Sequence, residues 1–164
     1  ILVEDVTYSP LWLLLPALAT LAPQRPWQAW ITPPAIPYAP GLHQNGLDLS
    51  KILLIRATGS TDVLWSAEQS LRSRACSAVL FWSGKLQRTA TRRLQLAAEH
   101  GQTLGICFQN RYGAASHSMA ALRLHCRLTA NGVYIDIIKC RGGPLRQGLL
   151  VQRQTTPTVS VVST

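Results

Sequence analysis

Apolar stretches of strand length alternate along the chain with segments of helical period. Residues 1–3 are short and apolar and read as a strand. A polar, turn-like stretch follows, then the helical run 11–22, with Pro10 near its first turn, where a missing N–H costs little. Residues 27–32 (WQAWIT) form the next expected strand, ended by Pro33 and Pro34. Residues 33–46 are rich in Pro and Gly and read as loop or short helix. KILLIRA, 51–57, is wholly apolar at its centre, the signature of a strand buried on both faces. The spacing of Leu64, Ala67, Leu71 and Ala75 predicts a helix over 61–74, with Asp62 suiting the N-terminal dipole and Arg72 and Arg74 the C-terminal one. CSAVLFW, 76–82, is a strand, 86–100 a helix stopped by Gly101, and TLGICF, 103–108, a buried strand.

Beyond residue 120 the pattern switches to alternation. ALRLHCRL, 121–128, and GVYIDIIKC, 132–140, flank Asn131-Gly132, a strong hairpin signal. GLLVQ, 148–152, adds one more strand. The Ser/Thr-rich end is expected to be mobile, giving one domain over 1–152 and a flexible tail over 153–164. Strand–helix alternation ending in antiparallel strands gives an α/β fold with a mainly parallel sheet and a mixed edge.

Composition fits one folded domain: 164 residues, 47% hydrophobic and 14% charged. The first residue is Ile, so a fragment or processed chain is expected, with a family's N-terminal part absent. The net charge of +9 is uneven. Residues 1–100 hold nine Lys/Arg against six Asp/Glu, and residues 101–164 hold seven against Asp136 alone. Such a half fits a polyanionic partner or a merely soluble basic surface. Cys76, Cys107, Cys126 and Cys140 make no C-x-x-C pair, and His43, His100, His117 and His125 have no ligand spacing with them. Reduced thiols in a cytoplasmic protein, with no metal and no cofactor, are expected. The run 11–21 is too short to span a bilayer. Of the tryptophans, Trp27, Trp30, Trp65 and Trp82 read as core. Trp12 and Tyr38 read as exposed, and Ser9, Ser83 and Ser116 lack a His/Asp arrangement for a hydrolase.

The opening strand–loop–helix has the layout of a phosphate-binding loop without its chemistry. Such a loop needs glycines to bring backbone N–H groups to the phosphates, a Lys, and a Ser/Thr on magnesium. EDVTYSPLW lacks the set: Glu4 and Asp5 repel phosphate, and Pro10 removes a donor. The strand that should end in a magnesium-binding Asp ends in Trp82 and Ser83. No enzyme is expected.

The order of segments resembles the RecA recombinase core, a three-layer fold with a mainly parallel central sheet and a C-terminal antiparallel hairpin. Pro34 and Ala35 stand where that family carries its catalytic Glu, and Gln109 where it carries a phosphate-sensing Gln. The DNA-binding loop is reduced to about 110–120. LLLPAL followed by WQAWITPP is similar to two degenerate relatives, the SulA cell-division inhibitors and the ImuA proteins of damage-induced mutagenesis. The phrases IPYAPGLHQNGLDLS, DVLWSAEQSLRSRACSAVLFW, RRLQLAAEHGQTLG and KCRGGP, over about residues 1–150, resemble ImuA more. SulA proteins usually end near the segment matching 116–126, whereas this chain continues.

The ImuA resemblance implies a non-catalytic adaptor in SOS-induced translesion synthesis, cytoplasmic and nucleoid-associated, bridging RecA, ImuB and an error-prone polymerase. Lys139 and Arg141 match basic residues that reach a neighbouring subunit's nucleotide, so with Gln109 they are expected to dock on RecA in trans. Arg88, Arg92 and Arg93 on one helix, and Arg111, Arg123 and Arg127, are expected contacts for a partner or for weakly held single-stranded DNA. The alternative is a SulA-type inhibitor that binds the tubulin-like protein FtsZ and blocks its polymerisation.

Overall fold

The computed structural model describes residues 1–21, 25–112 and 118–153. His117, Ser116 and, apart from Arg153, the tail expected to be mobile lie outside them. Eight strands form one sheet: β1 (Leu2–Val3), β2 (Trp27–Ile31), β3 (Ile52–Ile55), β4 (Cys76–Trp82), β5 (Leu104–Asn110), β6 (Leu122–Thr129), β7 (Gly132–Cys140) and β8 (Arg146–Gln152). Their order is β3-β2-β4-β5-β1-β6-β7-β8. The first six are mutually parallel; β7 and β8 return antiparallel to their neighbours.

Among the described residues four α-helices complete it: α1 (Leu15–Leu21), α2 (Ala39–Gln44), α3 (Ser60–Arg72) and α4 (Arg88–Gly101). Strand alternation sorts the central sheet into two cores. Ala29, Ile31, Val79 and Phe81 face α3 and α4, where Val63, Ala67, Leu71, Leu94 and Ala97 meet them. Trp30, Ala78, Leu80 and Trp82 face the other way, onto Leu15, Leu18, Leu42 and Leu47. A third, smaller cluster of Val3, Cys126, Val133 and Ile135 joins β1 to the antiparallel strands.

This corrects the expected RecA-like three-layer fold. Helices cover both faces only over β2 to β5. The last three strands form a meander, not a closing hairpin, and leave Leu128, Tyr134, Ile138, Leu149 and Leu150 exposed. The physical reason is composition: β6 to β8 alternate and carry one apolar face, so they need no second helical layer. The chain folds as a mixed eight-stranded sheet.

Other expectations shift locally. KILLIRA is not buried on both faces: β3 is an edge strand, and Leu53 and Leu54 are exposed. Trp65 is exposed on α3 (62%), against its expected core position. Trp12 is half-buried and packs at the junction of the second and third clusters. The run from 11 starts as a 3-10 turn (Leu11–Leu13) before α1. The stop of α4 is Gln102 in the left-handed region (φ 51°), while Gly101 is the last helical residue. A Cβ on Gly101 would lie 1.7 Å from the Leu71 carbonyl oxygen, so glycine is required for the approach of α4 to α3.

Candidate functional site

The carboxyl ends of β1, β2, β4 and β5 are where an α/β sheet places its ligands. After β1 the chain turns through Asp5, whose carboxylate accepts the Thr7 N–H at 2.8 Å and caps a 3-10 turn, Val6–Tyr8. The loop that follows is tied to the end of β4. Trp82, ending β4, donates its Nε1–H to Ser9 Oγ at 3.0 Å and stacks on Phe108 with ring centroids 5.0 Å apart. Trp82 thus links the end of β4 both to the loop after β1 and to β5. Gln109 is held by its Nε2–H on the Gly84 carbonyl at 2.6 Å.

After β2, Thr32 adopts a positive φ of 50°, costly for a β-branched residue. Two bonds hold it: its N–H donates to Ile55 O at 2.7 Å, and its Oγ1 accepts the Ala57 N–H at 3.2 Å. The chain then leads through Pro33 and Pro34 to Ile36 and Tyr38, each 74% exposed. Leu49, Leu53 and Leu54, in and just before the edge strand β3, are exposed as well, Leu53 and Leu54 on opposite faces of the strand. Tyr38 was legible as an exposed aromatic. Ile36 was missed, although an Ile placed between Pro34 and Pro37 has no periodic partner to bury it.

The basic residues are dispersed. Lys139 and Arg141 lie at the far end of β7: Lys139 Nζ donates to the Ser118 carbonyl at 2.6 Å, and Arg141 sits 3.9 Å from Glu99. Lys139 is level with Arg123 on β6, with β1 lying between β6 and the strand of Gln109. The three residues are therefore not brought together. Arg93 is paired with Glu68 of α3, and Arg88 and Arg92 face solvent. Arg111 lies 3.5 Å from Glu4 and 3.5 Å from His125 Nε2, and Arg127 binds Asp136 at 3.2 Å. Asp136 also accepts the Gly148 N–H at 2.7 Å. Burial, then Arg111, holds the His125 pKa below the usual value, against the pull of Asp136. Burial pushes the Cys107 thiol up to about 12 and the Cys126 thiol up to about 11. These thiols are protonated and unreactive at neutral pH. Among the described residues no His/Cys/Asp/Glu group could hold a metal ion, and no helix is long and apolar enough to cross a membrane.

A family model described as "Cell division inhibitor SulA" matches residues 3–105, from β1 to the start of β5. A cell division inhibitor SulA from Edwardsiella piscicida is 34% identical over 101 residues, covering 62% of this chain and 60% of that protein. One from Klebsiella aerogenes is 30% identical over 128 residues, covering 76% of each. The crystal structure of SulA from Pseudomonas aeruginosa superposes with a TM-score of 0.54 at 29% identity, over 66% of this chain and 94% of that one.

These matches overturn the resemblance to ImuA and the translesion-synthesis role drawn from it. RecA, ImuB and an error-prone polymerase fall as partners. Most of the phrases read as ImuA-like, over 36–105, lie inside the segment that the SulA model matches.

Proposed function

The chain belongs to the SulA family of cell division inhibitors, and on that premise we propose that it binds FtsZ and blocks its polymerisation. The mechanism is occupation of a protein surface, not catalysis. The observation that carries it is the family match over residues 3–105, and the Trp82–Ser9 hydrogen bond beside the loop after β1 is in keeping with a non-catalytic role. The docking surface is centred on Ile36 and Tyr38, in the segment that follows β2, since exposed aromatic and aliphatic anchors suit a protein partner. The damage-response setting stays, with division arrest in place of mutagenesis, and the place of action is the cytoplasm.

The test is light scattering of FtsZ polymerisation with GTP, alongside direct binding. The chain at equimolar ratio is expected to suppress assembly, and the double substitution Ile36→Ser, Tyr38→Ser to lose suppression without lowering the melting temperature. Normal assembly in the presence of a folded chain that shows no FtsZ binding defeats the proposal.

A further inference from the structure

Between β2 and α2 the chain runs Thr32-Pro33-Pro34-Ala35-Ile36-Pro37-Tyr38. A proline holds its φ at about −65° and has no N–H to donate. Three of the five residues from 33 to 37 are prolines, so this stretch is stiff and poor in donors. Among the described residues, no backbone hydrogen bond holds 33–37. Ile36 and Tyr38 also belong to none of the three apolar clusters. Nothing along the segment ties it down, so its direction is set by its two ends.

The first end is Thr32. The β2–β3 ladder closes with Ile31 level with Ile55, and Thr32 carries the contact one step further. Its N–H donates to the Ile55 carbonyl at 2.7 Å, and the Ala57 N–H donates to its Oγ1 at 3.2 Å. A φ of 50° is rare for a β-branched residue, and a residue before proline ordinarily keeps an extended backbone. Glycine would adopt this conformation freely, but glycine has no hydroxyl for Ala57. The second end is Tyr38, whose carbonyl accepts the Leu42 N–H at 3.1 Å as α2 begins. Its ring lies against Gly41: a Cβ on that glycine would stand 2.9 Å from Tyr38 Cδ1. Gly41 lies inside α2 without a positive φ, so the backbone does not require glycine there, and the helix disfavours it. What the missing side chain supplies is room for the ring.

We infer that Thr32 and Gly41 are positioning residues, which set residues 33–38 in their docking form before a partner arrives; this rests on the inhibitor reading above. Neither residue has to touch FtsZ. Thr32 fixes how the chain leaves the sheet, and the prolines carry that direction to Ile36. Gly41 seats the Tyr38 ring while leaving it 74% exposed. Side chains and loops that are ordered only on binding lower the affinity by the entropy they lose. A segment ordered beforehand from both ends avoids that cost. The arrangement also accounts for two residues that local preference alone would not choose: a threonine at positive φ and a glycine in mid-helix.

The test measures the melting temperature and the Kd for unpolymerised FtsZ of the parent chain, Thr32→Val, Thr32→Ser, Gly41→Ala, Tyr38→Ala and the double variant Gly41→Ala, Tyr38→Ala. Each Kd is taken below every melting transition, so a loss is read on folded chains. Thr32→Val keeps the shape without the acceptor and is expected to weaken binding roughly tenfold; Thr32→Ser, which keeps the hydroxyl, restores it. Gly41→Ala is expected to weaken binding to a similar degree while the melting temperature stays level or rises, because alanine favours the helix and only the ring is displaced. With Tyr38→Ala already present, Gly41→Ala has no ring to displace and changes the Kd no further. Equal binding by the parent, Thr32→Val and Gly41→Ala overturns this inference alone. So does a Gly41→Ala loss that persists in full without the Tyr38 ring. A folded parent chain that does not bind FtsZ overturns the inhibitor reading, and this inference with it.

Discussion

Trp82 joins packing and a hydrogen bond at a single position. Its ring stacks on Phe108 and its indole N–H holds Ser9, so truncation removes both a core element and the clasp on the loop. Trp82→Ala is expected to cost about 3–5 kcal/mol in denaturant unfolding, and ATP should shift the midpoint of neither form. A ligand at a hundred times its Kd would add about 2.7 kcal/mol, so a seat of useful affinity would be seen. Gly101 gives a second residue-scale expectation. Gly101→Ala forces a methyl against the Leu71 carbonyl and should destabilise by about 1–3 kcal/mol or more, while Gly84→Ala, in open space, should change little. His125 sets a pH dependence. Its folded pKa is depressed by burial and by Arg111, with Arg127 adding and Asp136 and Glu4 opposing. Below the ordinary value near 6.5, the unfolded chain takes up a proton that the folded site resists. Stability therefore falls as pH drops from about 6.5 towards the folded pKa and levels off below it. Thermal melts of the protein and of His125→Gln across that range should show the slope only with histidine present.

At the scale of elements, the α3–α4 pair is held by apolar burial more than by charge. Leu71 is buried in the cluster that joins the two helices to β2 and β4, whereas Arg93, in the Glu68 pair, is two-thirds exposed. Leu71→Ala should cost about 2–5 kcal/mol and Arg93→Ala about 1 kcal/mol or less, a contrast that urea titrations of the two variants measure directly. The edge strands differ in a related way. β3 was expected to be central because its sequence is apolar throughout, but order across a sheet is a matter of which strands pair, and an apolar edge is equally compatible with a docking surface. β8 carries Gly148 in the left-handed region (φ 67°), with its N–H tied to Asp136, which breaks up the free edge.

For the whole molecule, the proposed docking surface is apolar and the basic excess lies in residues 101–164, largely on other strands. Binding of unpolymerised FtsZ should therefore weaken little as salt is raised from about 0.1 to 1 M, where the screening length falls from about 10 to about 3 Å. A steep loss would move the interface to the basic half.

The sequence by itself determined the elements, because periodicity, prolines and the Asn131-Gly132 turn are local signals: β4 spans the expected residues, and β6, β7 and α3 match to within a residue or two. It also determined that residues 4–12 hold no glycine and no Lys, since these are matters of residue identity. The tertiary structure alone decided that Trp82 donates to Ser9, that β3 is an edge, and that Arg93, Arg111 and Arg127 are engaged with carboxylates. Each depends on which distant segments become neighbours. Strand order and cross-sheet register are set by the combined burial of all the elements at once, and no window of the chain contains that information.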